Sequence, residues 1–136
     1  MAGQSSRFNY KFKPFLYLDN RRFIQHTMKH FINKDEIVSS YNFIVTEKQE
    51  KDNNVTKTLK TEIFNNISDK INVITIKENT SGPYQTLQDS FNSTLGNMKN
   101  VIICDSDHSI NFEPILEKIN VNIDIVIPIW NIKDNE

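Results

Sequence analysis

One short stretch near the start of the sequence combines residue types that could bind phosphate. GQSSR, residues 3–7, is followed a few positions later by Lys13-Pro14. Small residues let backbone amides approach an anion closely, and Arg7 and Lys13 add positive charge. The stretch lacks both the GK[ST] of a P-loop and the GxGxxG of a dinucleotide site. Taken alone, it is also explained as a polar, frayed N-terminus.

A second stretch, DSDHS at residues 105–109, could bind a cation. Asp105 and Asp107 follow the apolar run NVIIC, and carboxylates at the end of a buried strand need a cation or several donors. Mg²⁺, held by one or two carboxylates and substrate phosphates, is the predicted ion. The alternative is an Asx-turn and helix cap. His108 is better explained as a loop histidine than as a ligand, and Cys104 as a small buried hydrophobe.

Three apolar runs, at residues 41–46, 71–76 and 100–104, predict the strands that position these groups. Amphipathic helices are predicted between them, and a last strand is predicted at 123–129. Alternation of strands and helices is typical of a three-layer α/β/α domain with a mostly parallel sheet and right-handed crossovers. We expect one domain over residues 1–136.

The helices are predicted from apolar spacing. Asp19 and Asn20 would start the first helix, and Gly96 would end the one that follows Gly82-Pro83. The aromatic and sulfur side chains predicted to lie in the core are Phe23, Met28, Phe31, Tyr84 and Phe91. The apolar spacing after strand 41–46 comes from Val55, Leu59, Ile63 and Ile67.

Polar groups follow each of the three predicted strands. They are Thr46-Glu47, residues 77–82 and residues 105–109. In an open parallel sheet, ligands bind beyond the carboxyl ends of the strands. We therefore expect these three clusters to meet at one edge of the sheet.

Composition excludes several classes of protein. The net charge of −1 from 16 basic and 17 acidic residues gives no field that favours nucleic acid or membrane. A single cysteine and an N-terminus without signal-peptide features predict a cytoplasmic protein, and no apolar run is long enough for a membrane span. His26 and His30 lie one helical turn apart, but without a third ligand they are better explained as a solvated or packed pair.

The order of these motifs resembles the sugar-phosphate nucleotidyltransferases, also called nucleotide-diphospho-sugar transferases. MAGQSSRF, KP and FLYLDNRRFIQHTMKHF are similar to the start of that family's catalytic domain. NVITIKENTSGPYQTL resembles its later nucleotide-binding loop, and NVIICDSDHSI resembles its strand that ends in the metal-binding Asp. The resemblance covers nearly the whole chain and implies a Rossmann-like fold.

The resemblance also implies roles for individual residues. The nucleoside triphosphate would be held by backbone amides of Gly3, Gln4, Ser5 and Ser6 and by the side chain of Arg7. Lys13 would neutralise charge at the phosphorus under attack, Thr80 and Gly82 would contact the nucleotide, and Asp105, with Asp107 nearby, would bind Mg²⁺. A sugar 1-phosphate would then displace pyrophosphate, and the enzyme would form a nucleotide sugar.

Three departures from the family qualify this expectation. Ser5 replaces a loop glycine, the family's first strand would precede Met1, and its sugar-binding half would follow residue 136. We therefore expect a domain truncated at both ends, which binds a nucleoside triphosphate weakly and forms no appreciable nucleotide sugar alone. The alternatives are an inactive nucleotide-binding or homo-oligomerising domain and, less favoured, a haloacid-dehalogenase-like phosphatase with Asp105 as nucleophile.

Overall fold

The computed structural model describes residues 8–9, 11–32, 34, 36–77, 80–91, 101–106 and 108–116. It begins with a short 3₁₀ helix, Lys13–Phe15. Strands β1 (Tyr17–Leu18) and β2 (Arg21–Arg22) pair as an antiparallel hairpin, and helix α1 (Phe23–Met28) follows directly.

The turn of this hairpin corrects one prediction. Asp19 and Asn20 connect β1 to β2 rather than starting the helix, and Asp19 has a φ of 54°, a value that Asp tolerates better than most residues. The helix starts after Arg22, whose backbone N–H donates to Gln25 Oε1 at 2.9 Å. Asp and Asn side chains favour turns and helix caps about equally, so the sequence alone does not distinguish a turn from a helix start at this point.

The centre of the described structure is a parallel strand pair. Strand β3 (Tyr41–Thr46) pairs with β4 (Ile71–Ile76) in a register that places Tyr41 opposite Ile71. Both ranges and the parallel direction confirm the prediction. Four of the six residues in each strand are apolar, and buried side chains lie on both faces of the pair.

The chain between these strands forms consecutive helical pieces. They are α2 (Glu47–Asn53), α3 (Val55–Lys57), a π-helical turn (Thr58–Ile63) and a 3₁₀ segment (Asn65–Lys70). Asn54, with a φ of 47°, separates α2 from α3. The apolar spacing correctly identified the side that packs, since Val55, Leu59 and Ile67 are buried.

The main core lies between one face of the β3–β4 pair and these helices, with α1 packed alongside. Direct neighbours in a parallel pair point to the same face, so Tyr41, Phe43 and Val45 share it with Ile71. The buried residues of this core are Phe12, Ile24, Met28, Phe31, Tyr41, Phe43, Val45, Val55, Leu59, Phe64, Ile67, Ile71 and Phe112.

Helix α4 (Pro83–Phe91) contacts β4, whose Ile74 and Ile76 point to the opposite face and are buried. The apolar spacing assigned the wrong side of this helix to the core. Tyr84 and Phe91 are exposed, whereas Ser90 is completely buried. A small side chain such as that of Ser90 allows a helix to approach its neighbour closely. The packed side of α4 is therefore not its most apolar side.

The predicted third strand is absent from the described part of the chain. Residues 101–105 form neither helix nor strand, and Val101, Ile102 and Ile103 are exposed. An apolar, β-branched run becomes a strand only when it pairs with a neighbouring strand, and the described part of this run has no such pairing. Helix α5 (Glu113–Leu116) follows, with Phe112 buried just before it.

These elements establish a mixed α/β structure that contains a parallel strand pair. The predicted strand at 123–129 and the predicted helix end at Gly96 lie outside the described residues. Within the described ranges, none of the helices has the length and apolar character that a membrane crossing requires.

Candidate functional site

Two of the three polar clusters lie at the same end of the strand pair. Thr46 is opposite Ile76 in the register, so Glu47 and Lys77 both follow the carboxyl ends of their strands. The Thr46 hydroxyl already accepts the Gln49 N–H at 3.1 Å, while Gln49 Oε1 accepts the Thr46 N–H at 3.0 Å. This reciprocal capping box starts α2, so Thr46 has a structural role here.

The loop after β4 is organised by its own polar groups. The Thr80 hydroxyl donates to the Gly82 carbonyl at 3.2 Å and also contacts the Thr86 hydroxyl. Ser81 donates twice to Gln85 Oε1, from its backbone N–H and from its hydroxyl, both at 2.9 Å. These bonds fix the start of α4 and occupy the donors of Ser81.

Gly82 lies at an open point of this loop. A Cβ added to Gly82 would meet no atom within 4 Å, and no glycine among the described residues has a positive φ. The backbone at Gly82 therefore does not require glycine for conformational reasons. The absence of a side chain leaves space beside the loop, which a bound ligand could use.

The acidic stretch has a different environment from the one predicted. Asp105 is exposed, and its Oδ2 lies 3.3 Å from Nδ1 of His108. No strand precedes it within residues 101–105, so the backbone does not fix the carboxylate in the way that a metal-binding strand end would.

Cys104 is exposed, which corrects the prediction of a buried hydrophobe. Desolvation by the surrounding protein atoms, and secondly the negative charge of Asp105, raise the pKa of the Cys104 thiol to about 11. The thiol is therefore protonated near neutral pH. In the described structure the charged group that acts on the thiol is the carboxylate of Asp105, whereas a reactive cysteine has positive groups beside it.

The segment that follows the acidic stretch is anchored near the amino end of β3. Phe112 packs on Phe31, with ring centroids 4.6 Å apart, and Glu113 pairs with Lys34 at 3.1 Å. The carbonyl of Phe31 in turn accepts the hydroxyl of Tyr41, the first residue of β3. These contacts tie residues 112–113 to the end of the strand pair opposite Gly82.

Lys13 has aromatic neighbours. Its ammonium lies 5.0 Å from the ring centroid of Phe8 and 5.9 Å from that of Phe23. Such cation–π contacts hold the charge beside the hairpin and α1.

The other residues of the predicted phosphate site, Gly3, Gln4, Ser5, Ser6 and Arg7, lie outside the described residues, as does Asp107.

Sequence reasoning missed a second cation cluster, around Arg22. The Arg22 guanidinium lies 5.3 Å from the Phe15 ring and 5.6 Å from the Tyr17 ring, and its Nη2 pairs with Glu62 Oε2 at 3.1 Å. The aromatic residues shortly before Arg22 in sequence were the available signal. The cluster joins the hairpin to the π-helical turn and thus has a structural role.

Comparison with known proteins identified no relative: no family model, curated protein or solved structure matches this chain. The described residues contain no group of three or more His, Cys, Asp or Glu side chains that could hold a metal ion. Mg²⁺ bound mainly by nucleotide phosphates needs only one or two carboxylates, so the exposed Asp105 fits that ion chemically.

Proposed function

We propose that the chain is a nucleotide-binding domain of the sugar-phosphate nucleotidyltransferase type. It would bind a nucleoside triphosphate with Mg²⁺ beyond the carboxyl ends of β3 and β4. The observation that carries the proposal is the loop at residues 80–82, which follows a strand of a parallel pair and leaves open space beside Gly82. Nucleotides bind at this end of the strands in open α/β sheets.

In its complete form, the domain would transfer the nucleotidyl group to a sugar 1-phosphate. A phosphate oxygen of the sugar 1-phosphate would form a bond to the α-phosphorus while the bond to pyrophosphate breaks. Positioning and electrostatic stabilisation would supply the catalysis, and bound Mg²⁺ would offset the phosphate charge. The residues proposed for these tasks are those of the sequence resemblance: Gly3, Gln4, Ser5, Ser6, Arg7, Lys13, Thr80, Gly82, Asp105 and Asp107.

The proposal includes a Rossmann-like, three-layer domain in which β3 and β4 are neighbours in a larger parallel sheet. Burial on both faces of the pair supports this architecture, since Val45 and Ile76 are buried and belong to opposite faces. Residues 123–129 are the proposed further strand. The exposed run at residues 101–104 is not a strand of the proposed sheet.

The proposal is tested by isothermal titration calorimetry, in which the full chain is titrated with ATP, GTP, CTP or UTP in the presence of Mg²⁺. Gly82→Leu should fill the open space and weaken binding at least about tenfold, equivalent to roughly 1.4 kcal/mol. Gly82→Ala is the matched control, because one methyl group occupies little of that space, and it should bind nearly as tightly as the parent. Failure of the parent chain to bind any of the four nucleotides would overturn the proposal.

The magnesium assignment needs its own measurement. Asp105→Asn should reduce the Mg²⁺ dependence of nucleotide binding, because the amide carries no charge to attract the ion and the nucleotide phosphates and Asp107 would remain as ligands. Asp89→Asn removes a carboxylate from α4 that is also exposed, and it should leave that dependence intact. Equal Mg²⁺ dependence in the parent and Asp105→Asn proteins would exclude Asp105 as the ligand.

A homo-oligomerising domain is the second candidate function. It is favoured by the exposure of the apolar side chains Val101, Ile102 and Ile103, since exposed apolar patches commonly mark interaction sites. Light scattering coupled to size-exclusion chromatography separates the two candidates. A dimer that dissociates in the Ile103→Asp protein, together with no nucleotide binding, would favour this second function.

A further inference from the structure

We propose that the surface formed by the β1–β2 hairpin and α1 binds single-stranded nucleic acid. The inference goes beyond the proposed function and uses none of the residues assigned to the nucleoside triphosphate. It begins from an uneven distribution of charge that the net charge of −1 conceals. Residues 1–34 contain seven Lys and Arg side chains and one acidic side chain, whereas the rest of the chain contains nine basic and sixteen acidic ones. A local excess of positive charge attracts polyanions even where the whole protein is nearly neutral.

Three basic side chains of this part of the structure are accessible to a partner. Lys11, Arg21 and Lys29 are exposed, and none of them forms an ion pair with any other described residue. Arg22 and Lys34, by contrast, are already held by ion pairs of 3.1 Å. The excess positive charge is therefore only partly neutralised by the protein itself.

The hairpin and the helix bring Arg21 and Lys29 to one continuous surface. The strand register places Arg21 opposite Leu18, and the Leu18 carbonyl accepts a hydrogen bond from His26 Nε2 at 3.1 Å. Lys29 ends α1 with helical backbone angles, three residues after His26, so these two side chains are neighbours on the helix surface. We call the surface defined by Arg21, His26 and Lys29 the basic surface.

Tyr17 adds an aromatic ring beside the basic surface. It precedes Leu18 in β1, and 66% of its surface is accessible. Arg22 Nε donates to the Tyr17 hydroxyl at 3.5 Å, and the guanidinium lies 5.6 Å from the ring centroid, so the ring is held in place while most of it stays open. Proteins that bind single strands combine positive charge along the backbone with aromatic rings on which bases stack.

The turn of the hairpin favours this partner over a membrane. Asp19 and Asn20 form the turn, and both are exposed. An anionic bilayer would repel Asp19 and would have to desolvate Asn20 beside the exposed Leu18, whereas a single strand can follow the cations without covering the turn. A duplex keeps its bases stacked on one another, so it would leave the ring of Tyr17 unused.

Fluorescence anisotropy with labelled oligonucleotides of about 16 nucleotides, the upper end of the site size of one binding fold, tests the inference on the full chain. The single strand should bind more tightly than a duplex of the same length. The Arg21→Gln/Lys29→Gln protein should reduce the slope of log affinity against log salt by about 1.4, because each phosphate contact to a single strand contributes about 0.7. The Lys48→Gln/Lys51→Gln protein loses the same charge from exposed positions of α2 and should keep the parent slope.

The aromatic contribution has its own variants. Tyr17→Ala should weaken single-strand binding by roughly five- to a hundredfold, the range for loss of one base–aromatic stack. Tyr17→Phe keeps the ring and should bind as the parent does. Tyr84→Ala removes another exposed tyrosine, from α4, and should leave the affinity unchanged.

Three results would each overturn the inference: no single-strand binding by the parent at low salt, equal slopes for the two double variants, or equal affinities of the Tyr17→Ala and Tyr84→Ala proteins. Binding to phosphatidylserine vesicles in place of the oligonucleotide would overturn it as well and would assign the basic surface to a membrane. Titration of the Arg21→Gln/Lys29→Gln protein with nucleoside triphosphates should match the parent, so the outcome is independent of the proposed function.

Discussion

The hydroxyl of Tyr41 joins two elements of the core. It donates to the carbonyl of Phe31 at 2.7 Å, in a buried position at the amino end of β3. Phe31 also holds the ring of Phe112, so this bond lies where α1, β3 and the segment before α5 meet. The same carbonyl also accepts the Lys34 N–H at 3.2 Å, so loss of the hydroxyl removes one of two bonds to a buried acceptor.

Replacement of Tyr41 by Phe should therefore lower the free energy of unfolding by about 1 kcal/mol, since the ring is kept, only the hydroxyl is lost, and the carbonyl retains the Lys34 N–H. Tyr17→Phe is the matched control, because the Tyr17 ring is exposed and its hydroxyl accepts a weak, 3.5 Å bond from Arg22 Nε. That change should cost less than about 0.5 kcal/mol. Urea denaturation measures both, and equal losses would contradict the role assigned to Tyr41.

A second prediction at this scale concerns the Cys104 thiol. Its pKa of about 11, set first by desolvation and then by Asp105, keeps it protonated and slow to alkylate near neutral pH. The rate of reaction with iodoacetamide should still be rising at a pH above 10, because only the thiolate reacts. The chain contains one cysteine, so the modified site is unambiguous.

Asp105→Asn should move the midpoint of this pH–rate profile downward, because the neutral amide no longer repels the thiolate. The midpoint should stay above the ordinary thiol value of 9.0, since desolvation, the larger cause, remains. A profile for the parent protein that levels off near pH 9 would show that the thiol is not desolvated.

Among the elements, helix α2 shows how a residue near the candidate site can serve the fold. Thr46 ends β3 and caps α2, and it is almost fully buried. Its hydroxyl satisfies the Gln49 N–H, which would otherwise lie unpaired at the start of the helix. The turn from strand to helix therefore depends on this side chain.

Thr46→Val removes the hydroxyl but preserves the shape, and it should destabilise the protein by about 1 kcal/mol, as loss of a helix cap does. Thr61→Val makes the same chemical change at an exposed position, where the hydroxyl bonds only back to the Lys57 carbonyl. That variant should remain within about 0.5 kcal/mol of the parent. Thermal or urea unfolding provides the measurement, and a larger loss from Thr61→Val would refute the capping argument.

The elements that sequence predicted well are those whose local pattern and tertiary packing agree. Strands β3 and β4 are apolar runs that pair with each other, and the spacing of Val55 and Leu59 matches the side that packs. The errors arose where packing departed from apolarity. Ser90 rather than Tyr84 packs in α4, and the run at 101–104 has strand propensity without a pairing strand in the described structure.

The candidate site was predictable in the same partial way. Parallel direction alone places Thr46 and the loop at 80–82 at one end of the pair, and the structure agrees. The position of Asp105 depended on a third strand, and that strand is missing from residues 101–105. The anchoring of Phe112 on Phe31 is a long-range contact that no local pattern of the sequence encodes.

At the scale of the whole molecule, apolar side chains are distributed unevenly along the described chain. Before residue 77 most large apolar residues pack into the core on one face of the strand pair. After it, Tyr84, Phe91 and residues 101–103 are exposed. Phe112 from the second part of the chain packs into the core, and the extent of the sheet decides how much more of that part contributes to it.

Hydrogen exchange measured by mass spectrometry tests the extent of the sheet on the full chain. Peptides that cover Ile71–Ile76 should exchange slowly, because this strand pairs with β3 and its residues Ile71, Ile74 and Ile76 are buried. Peptides that cover residues 101–104 should exchange rapidly, since these residues are exposed and belong to no helix or strand.

Val73→Asp, which introduces a charge into the strand pair, should abolish the protection of β4 from exchange, whereas Ile103→Asp should leave that protection unchanged. Slow exchange at 101–104 that is lost in the Ile103→Asp protein would instead place that run in the sheet beside the pair, as its apolar pattern predicted.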